Sequence, residues 1–557
     1  MKHAIADSRI QGLVWLAVAG SALLSACSSQ WYREAVDREA YAIIKEKQGA
    51  VFGETRPFDV VQSPEQPARV ALCAEVQKAR SGPERKAEPL KLDLARCLEV
   101  AAVLDREFQN EKETLFISAL SLSDVRWEFD WQPTLTGLVG MEGNRRDARV
   151  FTESTFTLSK ALSTGASVLS TLLGSLSRSI TSGVPWNHFS LLNIGLTQPL
   201  LRGFGPHIAM ESLTQAERNV IYSVRSFERF RRAHVVEITT EYYDLLEQMN
   251  RIEIEEANLA NLNVSLELQT ALYQAGKLPR FQVDQTQQSV LTSEATLLRL
   301  RMSVQSALDE LKITLGLPMD TRIALDRTDF AELQKRGIQE LNLDESRAIS
   351  LALENRLDLK TRNDRIADAK RKVVIAADAL RLGLDLDMDL AVPSRDNKAW
   401  QVEWTDVFVG GTLRWDIPIN QIPQRNAYRT AIITYERSVR DYALLVDTVQ
   451  RQVRLRVRDI RQIEQDYKIQ VARVKLARSQ VDETSEKQRA GRAITRDVLE
   501  ARESLVNAQS ELARLLVAYK TAQLDLLRDL EILKLDPEGL RYDDRLESYR
   551  PSDDTRK

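Results

Sequence analysis

One design is written twice along this chain. In the first copy the residues at successive steps of seven are Leu245, Ile252, Leu259, Leu266 and Tyr273, then, past a break, Val283, Val290, Leu297, Val304 and Leu311. About 215 residues later the same steps hold Ile460, Tyr467, Val474, Val481 and Gln488, then Val498, Leu505, Leu512, Tyr519 and Leu526. Only Gln488 is polar. An apolar residue every seven predicts long helices lying alongside neighbours in a coiled-coil manner. From His207 to Ala275, and again from Gln424 to Ala490, there is neither glycine nor proline. At about 1.5 Å of rise per residue each run could reach roughly 100 Å, several times an ordinary globular helix.

Both runs end on the same punctuation, Ala275-Gly276-Lys277 and Ala490-Gly491-Arg492, after which helical periodicity resumes. Glycine after a helix supplies the left-handed cap at which a chain can reverse. Each copy is therefore predicted to end in a helical hairpin tip, the two tips side by side. The second seam position is mixed, with Glu256, Asn263 and Thr270 where a zipper would want apolar residues. Such a narrow stripe suits a single-layer wall wet on both faces, whereas a solid bundle needs a broader apolar face.

Between the helical runs the period changes. Leu384 to Val392 reads LDLDMDLAV, with Leu384, Leu386, Met388 and Leu390 on one face and Asp385, Asp387 and Asp389 on the other. Phe408 to Ile417 is a second candidate strand, and in the first copy Arg126 to Gly143 and the segments around Phe151 to Leu158, Ala166 to Ile180 and His188 to Gln198 look strand-like. Three carboxylates on one face could hold a metal, but water opposite lipid is the simpler reading, and no metal site is assigned. Two strands per copy make about four per chain, too few for a closed barrel of ~8 or more, so closure requires several chains. The Ser, Thr and Leu between Val150 and Ile180 leave open an elongated hairpin or an outer loop.

Lys2 and Arg9 precede an apolar stretch from Leu13 to Leu24, followed by Leu24-Ser25-Ala26-Cys27. This resembles a bacterial lipoprotein signal, cleaved before Cys27, which becomes the lipidated residue; Ser28, not Asp, follows and implies outer-membrane sorting. A net charge of -3 over 557 residues offers no field for nucleic acid, and the run Arg451, Arg454, Arg456, Arg458, Arg461 reads as a solvated helix face. Cys73 and Cys97, in an exported region, are candidates for a disulfide. Enzymatic signals are absent: His3, His188, His207 and His234 lack metal-ligand spacing, and Gly203-Phe204-Gly205 lacks the third glycine of a phosphate loop. No cofactor is expected beyond the covalent lipid on Cys27.

These residues resemble the TolC-like outer-membrane efflux proteins, in their lipoprotein branch, over roughly residues 92 to 536. The marks are Leu196-Thr197-Gln198-Pro199-Leu200-Leu201-Arg202-Gly203-Phe204-Gly205, Trp415-Asp416-Ile417-Pro418-Ile419, Ala352 to Leu359, Leu315-Gly316-Leu317-Pro318 and Gly491 to Leu499. The resemblance implies a mainly α fold with β: a duplicated unit of coiled-coil helices and transmembrane strands, trimerised into a 12-stranded β-barrel continued by a periplasmic α-helical barrel. Pro199 and Pro418 would bend the chain from strand to helix. The implied order is 1–26 signal peptide, 27–91 lipid-anchored extension, 92–318 first repeat, 319–344 equatorial linker, 345–536 second repeat and 537–557 tail. The function implied is an exit duct for solutes, with a periplasmic adaptor and an inner-membrane pump as partners. The adaptor would dock on the tips at Gly276, Lys277, Gly491 and Arg492, and Asp497 and Glu500 would ring the pore constriction. This sequence departs from the family at the latch: the tyrosine and arginine of the best-known member correspond to Gln488 and Ala493, so Arg492 or Arg496 would have to pair with an acid of the adjacent hairpin. The rival reading is a lipid-anchored periplasmic coiled coil, structural or adaptor, without a pore.

Overall fold

The computed structural model describes residues 29–60, 67–80, 88–143, 148–179, 185–340, 343–395, 398–402, 404–536, 540 and 542–543; Cys27 lies outside them. They cluster into two units, one of Met1–Phe58, Thr114–Val224 and Arg362–Arg440, the other of Asp59–Glu113, Arg225–Thr361 and Asp441–Lys557. Each unit draws on both copies.

The first unit is built on one antiparallel sheet. Its strands are β2 (Gln132–Gly143), β3 (Ala148–Ala161), β4 (Ser167–Ser179), β5 (Asn187–Pro199), β7 (Gly383–Arg395), the short β8 (Lys398–Val402) and β9 (Phe408–Asp416). The order is β2-β3-β4-β5-β7-β8, with β9 also paired to β7. The second copy provides its expected pair of long strands, β7 and β9. The first copy provides four, so the expected count of about four strands per chain becomes six long strands. The stretch left open between Val150 and Ile180 is a hairpin inside the sheet. Its alternation is broken, since Leu172 and Leu173 are adjacent and so point to opposite faces, which is why the sequence alone does not place it in the sheet.

Register sorts the side chains. Leu135, Val139 and Met141 of β2 share a face with Val150, Phe156 and Leu158 of β3 and with Val168, Leu172 and Leu176 of β4. That face continues through Leu192, Ile194 and Leu196 of β5, Leu386, Met388 and Leu390 of β7, and Val409, Leu413 and Trp415 of β9. Asp385, Asp387 and Asp389 stand on the other face, where the Arg414 guanidinium donates to Asp387 at 2.5 Å and the Thr197 hydroxyl donates to it at 2.8 Å. Leu135, Val139, Met141, Val409 and Trp415 are exposed, Val409 at 75%. A sheet that solvates its carboxylates on one side and bares a band of large apolar side chains on the other suits water opposite lipid. Helix α1 (Ser29–Phe52) and helix α4 (Arg106–Glu128) also contribute here: Glu39 accepts from Ser123 at 2.5 Å and Arg126 lies 3.3 Å from Glu46.

The second unit is dominated by rods. Helix α6 (Glu211–Gln274), begun in the first unit, is followed by α7 (Arg280–Thr314), and α11 (Ile422–Arg489) by α12 (Thr495–Asp529). The predicted seam is buried in α7 at Val290, Leu297, Val304 and Leu311 and in the second copy at Ile460, Val498, Tyr519 and Leu526. Near the tip the buried line of α6 runs through Glu255, Leu262, Ser265 and Gln269, a polar seam beside the half-buried Leu259 and Leu266. The best-packed core lies where the short helix α9 (Glu345–Asn355) brings Ala348 and Ala352 against Val449, Val453, Val457 and Ile460. Burying one Val or Leu side chain there contributes about 1.5–3 kcal/mol. In the linker, Ile323–Leu325 (β6) pairs in parallel with Leu90–Leu92 (β1), tying the segment before the first repeat to the segment between the repeats.

Ion pairs accompany this core. The Glu531 carboxylate accepts from the Leu357 backbone N–H at 2.8 Å and lies 2.7 Å from Arg229. Burial nonetheless holds its pKa above the usual carboxylate range. Asp358 goes the other way: burial raises it, but Arg356 at 2.6 Å and Arg229 at 3.1 Å prevail and hold it low. The candidate disulfide is corrected too, for Cys73 and Cys97 are both free thiols. Cys97 is fully buried in helix α3 (Leu94–Leu104), and burial pushes its thiol up to about 12.

Candidate functional site

Three places were singled out by sequence: the bends, the tips and the acids after Gly491. At the first bend Pro199 closes β5, the Leu200 N–H donates to the Leu384 carbonyl at 2.7 Å, and the Gly203 N–H donates to Asp378 at 2.7 Å. The short turn Pro206–Ala209 (α5) then leads into α6. Arg202 reaches Asp416 at 2.9 Å, tying the exit of β5 to the end of β9. Pro418 follows β9 by two residues and precedes α11, as a residue without a donor and with φ fixed should at a sheet's end. The β3–β4 turn lies against the same bend. The Gly205 N–H donates to the Thr164 carbonyl at 3.0 Å, and a Cβ on Gly165 would stand 2.4 Å from the Gly203 carbonyl oxygen, so the approach requires glycine.

The tips are duplicates in backbone as well as in sequence. The Lys277 N–H donates to the Leu272 carbonyl at 2.9 Å and the Arg492 N–H to the Lys487 carbonyl at 2.8 Å. Gly276 N–H donates to Tyr273 at 2.8 Å and Gly491 N–H to Gln488 at 2.9 Å. With φ of +70° at Gly276 and +72° at Gly491, each is a Schellman cap. No atom lies within 4 Å of a Cβ built on either glycine.

Behind the tips, uncharged side chains join the two hairpins. Gln488 donates to the Thr495 hydroxyl at 3.4 Å, and that hydroxyl donates to Gln282 of α7 at 2.9 Å. One layer further in, Thr286 donates to Gln269 at 2.5 Å. Thr286 and Thr495 are buried at 0% and 1% exposure, so the bonds are shielded from water. The polar residue that broke the seam, Gln488, is thus a partner in this link.

The acids have local partners. Asp497 sits at the third position of α12, and its carboxylate accepts from the Ile494 N–H at 3.3 Å, capping the helix start. Glu500 accepts from Arg496 at 2.7 Å on the same helix face, and this raises the Arg496 pKa. Within the chain Arg496 thus pairs along its own helix. Both acids are exposed.

A family model described as outer membrane efflux protein matches residues 191–317 and 348–530, more than half of the chain. The chain belongs to that family. No curated protein matches it by sequence. The outer membrane protein VceC of Vibrio cholerae is similar at a TM-score of 0.58 and 17% identity, over 78% of this chain and 95% of its own. The CmeC outer membrane channel of Campylobacter jejuni gives 0.58 and 12%, over 81% and 91%. The MtrE outer membrane channel of Neisseria gonorrhoeae, described in its open state, gives 0.56 and 13%, over 78% and 88%. These likenesses establish the fold of an outer-membrane efflux protein, mainly helical with a sheet.

For this efflux protein, sequence reasoning missed the links that join distant positions. Thr495 and Gln282 are 213 residues apart, and neither breaks a local pattern. The one signal the sequence holds is that each lies close after its tip glycine. Among the described residues no helix is long and apolar enough to cross a membrane, and no group of metal-ligating side chains is present.

Proposed function

We propose that this efflux protein is the outer-membrane exit duct of a tripartite efflux or secretion system: a homotrimer anchored by lipid on Cys27, its strands closing a barrel in outer-membrane lipid and its helices extending into the periplasm. The observation that carries this is the sheet, whose register puts apolar residues on one face of all six long strands and the aspartates of β7 on the other. A lipid-anchored coiled coil without a pore has no use for such a face. The chain shows no nucleotide motif, so energy comes from an inner-membrane pump, reached through a periplasmic adaptor that docks on the tips at Gly276, Lys277, Gly491 and Arg492. Asp497 and Glu500 lie after the second tip, where threefold symmetry would gather six acids about one axis.

Purified protein in planar bilayers tests the reading. A detergent-stable oligomer with discrete, cation-selective conductance is expected; a monomeric species that leaves the bilayer silent refutes it. Palmitate labelling of wild type and Cys27→Ser tests the anchor, and equal label in both removes it.

A further inference from the structure

We propose that the outer-membrane barrel of this protein takes six strands from each chain, eighteen from three, so that its mouth has the width of a general porin. The inference rests on the trimeric channel proposed above and concerns the wall of that channel.

Four observations support it. First, the extra hairpin is bonded on both sides: β3 pairs with β2 from Ala148 to Ser159, and β4 pairs with β5 from Ser167 to Ser177, without a register shift in either ladder. A loop lying on a completed barrel would leave β2 paired directly to β5. Secondly, the apolar band crosses the hairpin. Val150, Phe156 and Leu158 on β3 and Val168, Leu172 and Leu176 on β4 share the face of Leu386, Met388 and Leu390 on β7. Thr155, Thr157, Thr171, Ser175 and Ser177 share the face of the aspartates; Phe151, Leu169 and Leu173 are the apolar exceptions there. A plug folded into the lumen would meet water on both sides and has no reason to carry a band in line with its neighbours.

Thirdly, the hairpin spans the height of the sheet. Ser167 at the foot of β4 stands opposite Thr197, two residues before the bend at Pro199. Its turn is held there by the Gly205 N–H bond to Thr164 and by the 3.1 Å contact between the Thr164 hydroxyl and Gln198. Fourthly, β2 and β9 are the outer edges among the long strands. They run in opposite directions, so β9 of one copy can pair with β2 of the next in the antiparallel sense of every other pair. An unpaired edge with an apolar face requires such a partner in lipid, where unbonded N–H and C=O groups cost several kcal/mol each.

Barrel diameter grows roughly linearly with strand number. Eighteen strands in place of twelve widen the mouth about 1.5-fold and its cross-section about 2.2-fold, which moves the limiting section away from the outer membrane. Cargo size is then set by the helical part, and folded or branched solutes that clear it meet no second sieve.

Disulfide trapping tests the wall. Thr136→Cys on β2 and Asn193→Cys on β5 both face the lumen; in the proposed barrel they stand three strand spacings apart, about 14 Å, beyond a disulfide's reach of about 7 Å between Cα atoms. Thr136→Cys with Thr412→Cys on β9 should instead link neighbouring chains into ladders on non-reducing gels, and pairs shifted by two residues cover the unknown register. Electron cryomicroscopy of the unmodified oligomer counts the strands directly. Intrachain β2–β5 bonds, or twelve strands in a conducting trimer, overturn the inference and leave the channel reading intact. Failure to form any conducting oligomer overturns both.

Discussion

His234 and Asp105 offer a measurable account of how the helical unit is held. His234 is 2% exposed, Asp105 6%, and Nε2 lies 3.0 Å from Oδ2, an ion pair more than an aligned hydrogen bond. The imidazole is stacked against Phe108 and Phe230, and Glu237 reaches Nδ1 at 3.4 Å from the surface. Burial lowers the histidine pKa, but Asp105 and Glu237 prevail and raise it above 6.5. Burial raises Asp105, but His234 and the backbone N–H groups of Phe108 and Glu107 hold it below 3.8. The raised histidine contributes stability that is complete below its ordinary pKa and is lost as pH climbs through the folded value. The lowered aspartate contributes stability that is complete above its ordinary value and is lost as pH falls through the folded one. Breaking a buried pair from one side costs about 3–5 kcal/mol. In His234→Gln the Asp105 carboxylate keeps its bonds from Phe108 at 2.8 Å and Glu107 at 3.2 Å, which should reduce the loss to about 2–3 kcal/mol. Thermal melts of detergent-purified protein at a fixed scan rate should show His234→Gln well below wild type at pH 6, the gap narrowing by pH 9 as the native histidine discharges. A gap of equal size at both pH values would falsify the charged pair and leave only lost packing.

Gly491→Ala should cost about 1–2 kcal/mol from its positive φ and leave efflux intact, whereas Gly276→Trp and Gly491→Trp should assemble normally yet lose adaptor capture; their disappearance from the membrane would instead make the glycines purely structural. Thr495→Val leaves Gln282 without its donor at a cost of about 1–3 kcal/mol, and hydrogen exchange in residues 482–500 should quicken, unchanged protection counting against a latch built on this hydroxyl. Asp497→Asn with Glu500→Gln should weaken cation preference and multivalent-cation block in bilayers; a separate loss of about 0.5–2 kcal/mol reports the lost cap, and unmoved selectivity takes both acids out of the constriction. Cys73 should react with maleimide in the native protein while Cys97, fully buried, should react only after denaturation, and a wild-type chain with no titratable thiol would contradict the unbridged state.

What could be read in advance follows the range of the forces involved. The seam at Val290, Leu297, Val304 and Leu311 is a local pattern written at one spacing, and it is buried as such. The strict alternation of Leu384 to Leu390 marked β7 for the same reason. Phe151 to Leu158 and Ala166 to Ile180 read as strand-like, but their place in the sheet stays open in the sequence because the two faces of β3 and β4 differ less in polarity, serine and threonine being tolerated on either. The polar seam at Glu255, Ser265 and Gln269 has no signature of its own, since its side chains are satisfied by partners such as Ser293 and Thr286 on the following helix. Cysteine count and export make a bridge between Cys73 and Cys97 a candidate, but pairing depends on three-dimensional placement, and the two thiols stand unbridged.

The sheet carries a further consequence in its arithmetic. Each chain brings an even number of long strands, entering on β2 and leaving on β9 in the opposite direction, so in the proposed barrel the antiparallel sense of pairing would carry over from copy to copy whatever their number. Strand pairing is therefore indifferent to stoichiometry. In the proposed channel the strand ladder alone would leave the number of subunits open, and a variant that forms rings of mixed size could keep every strand paired.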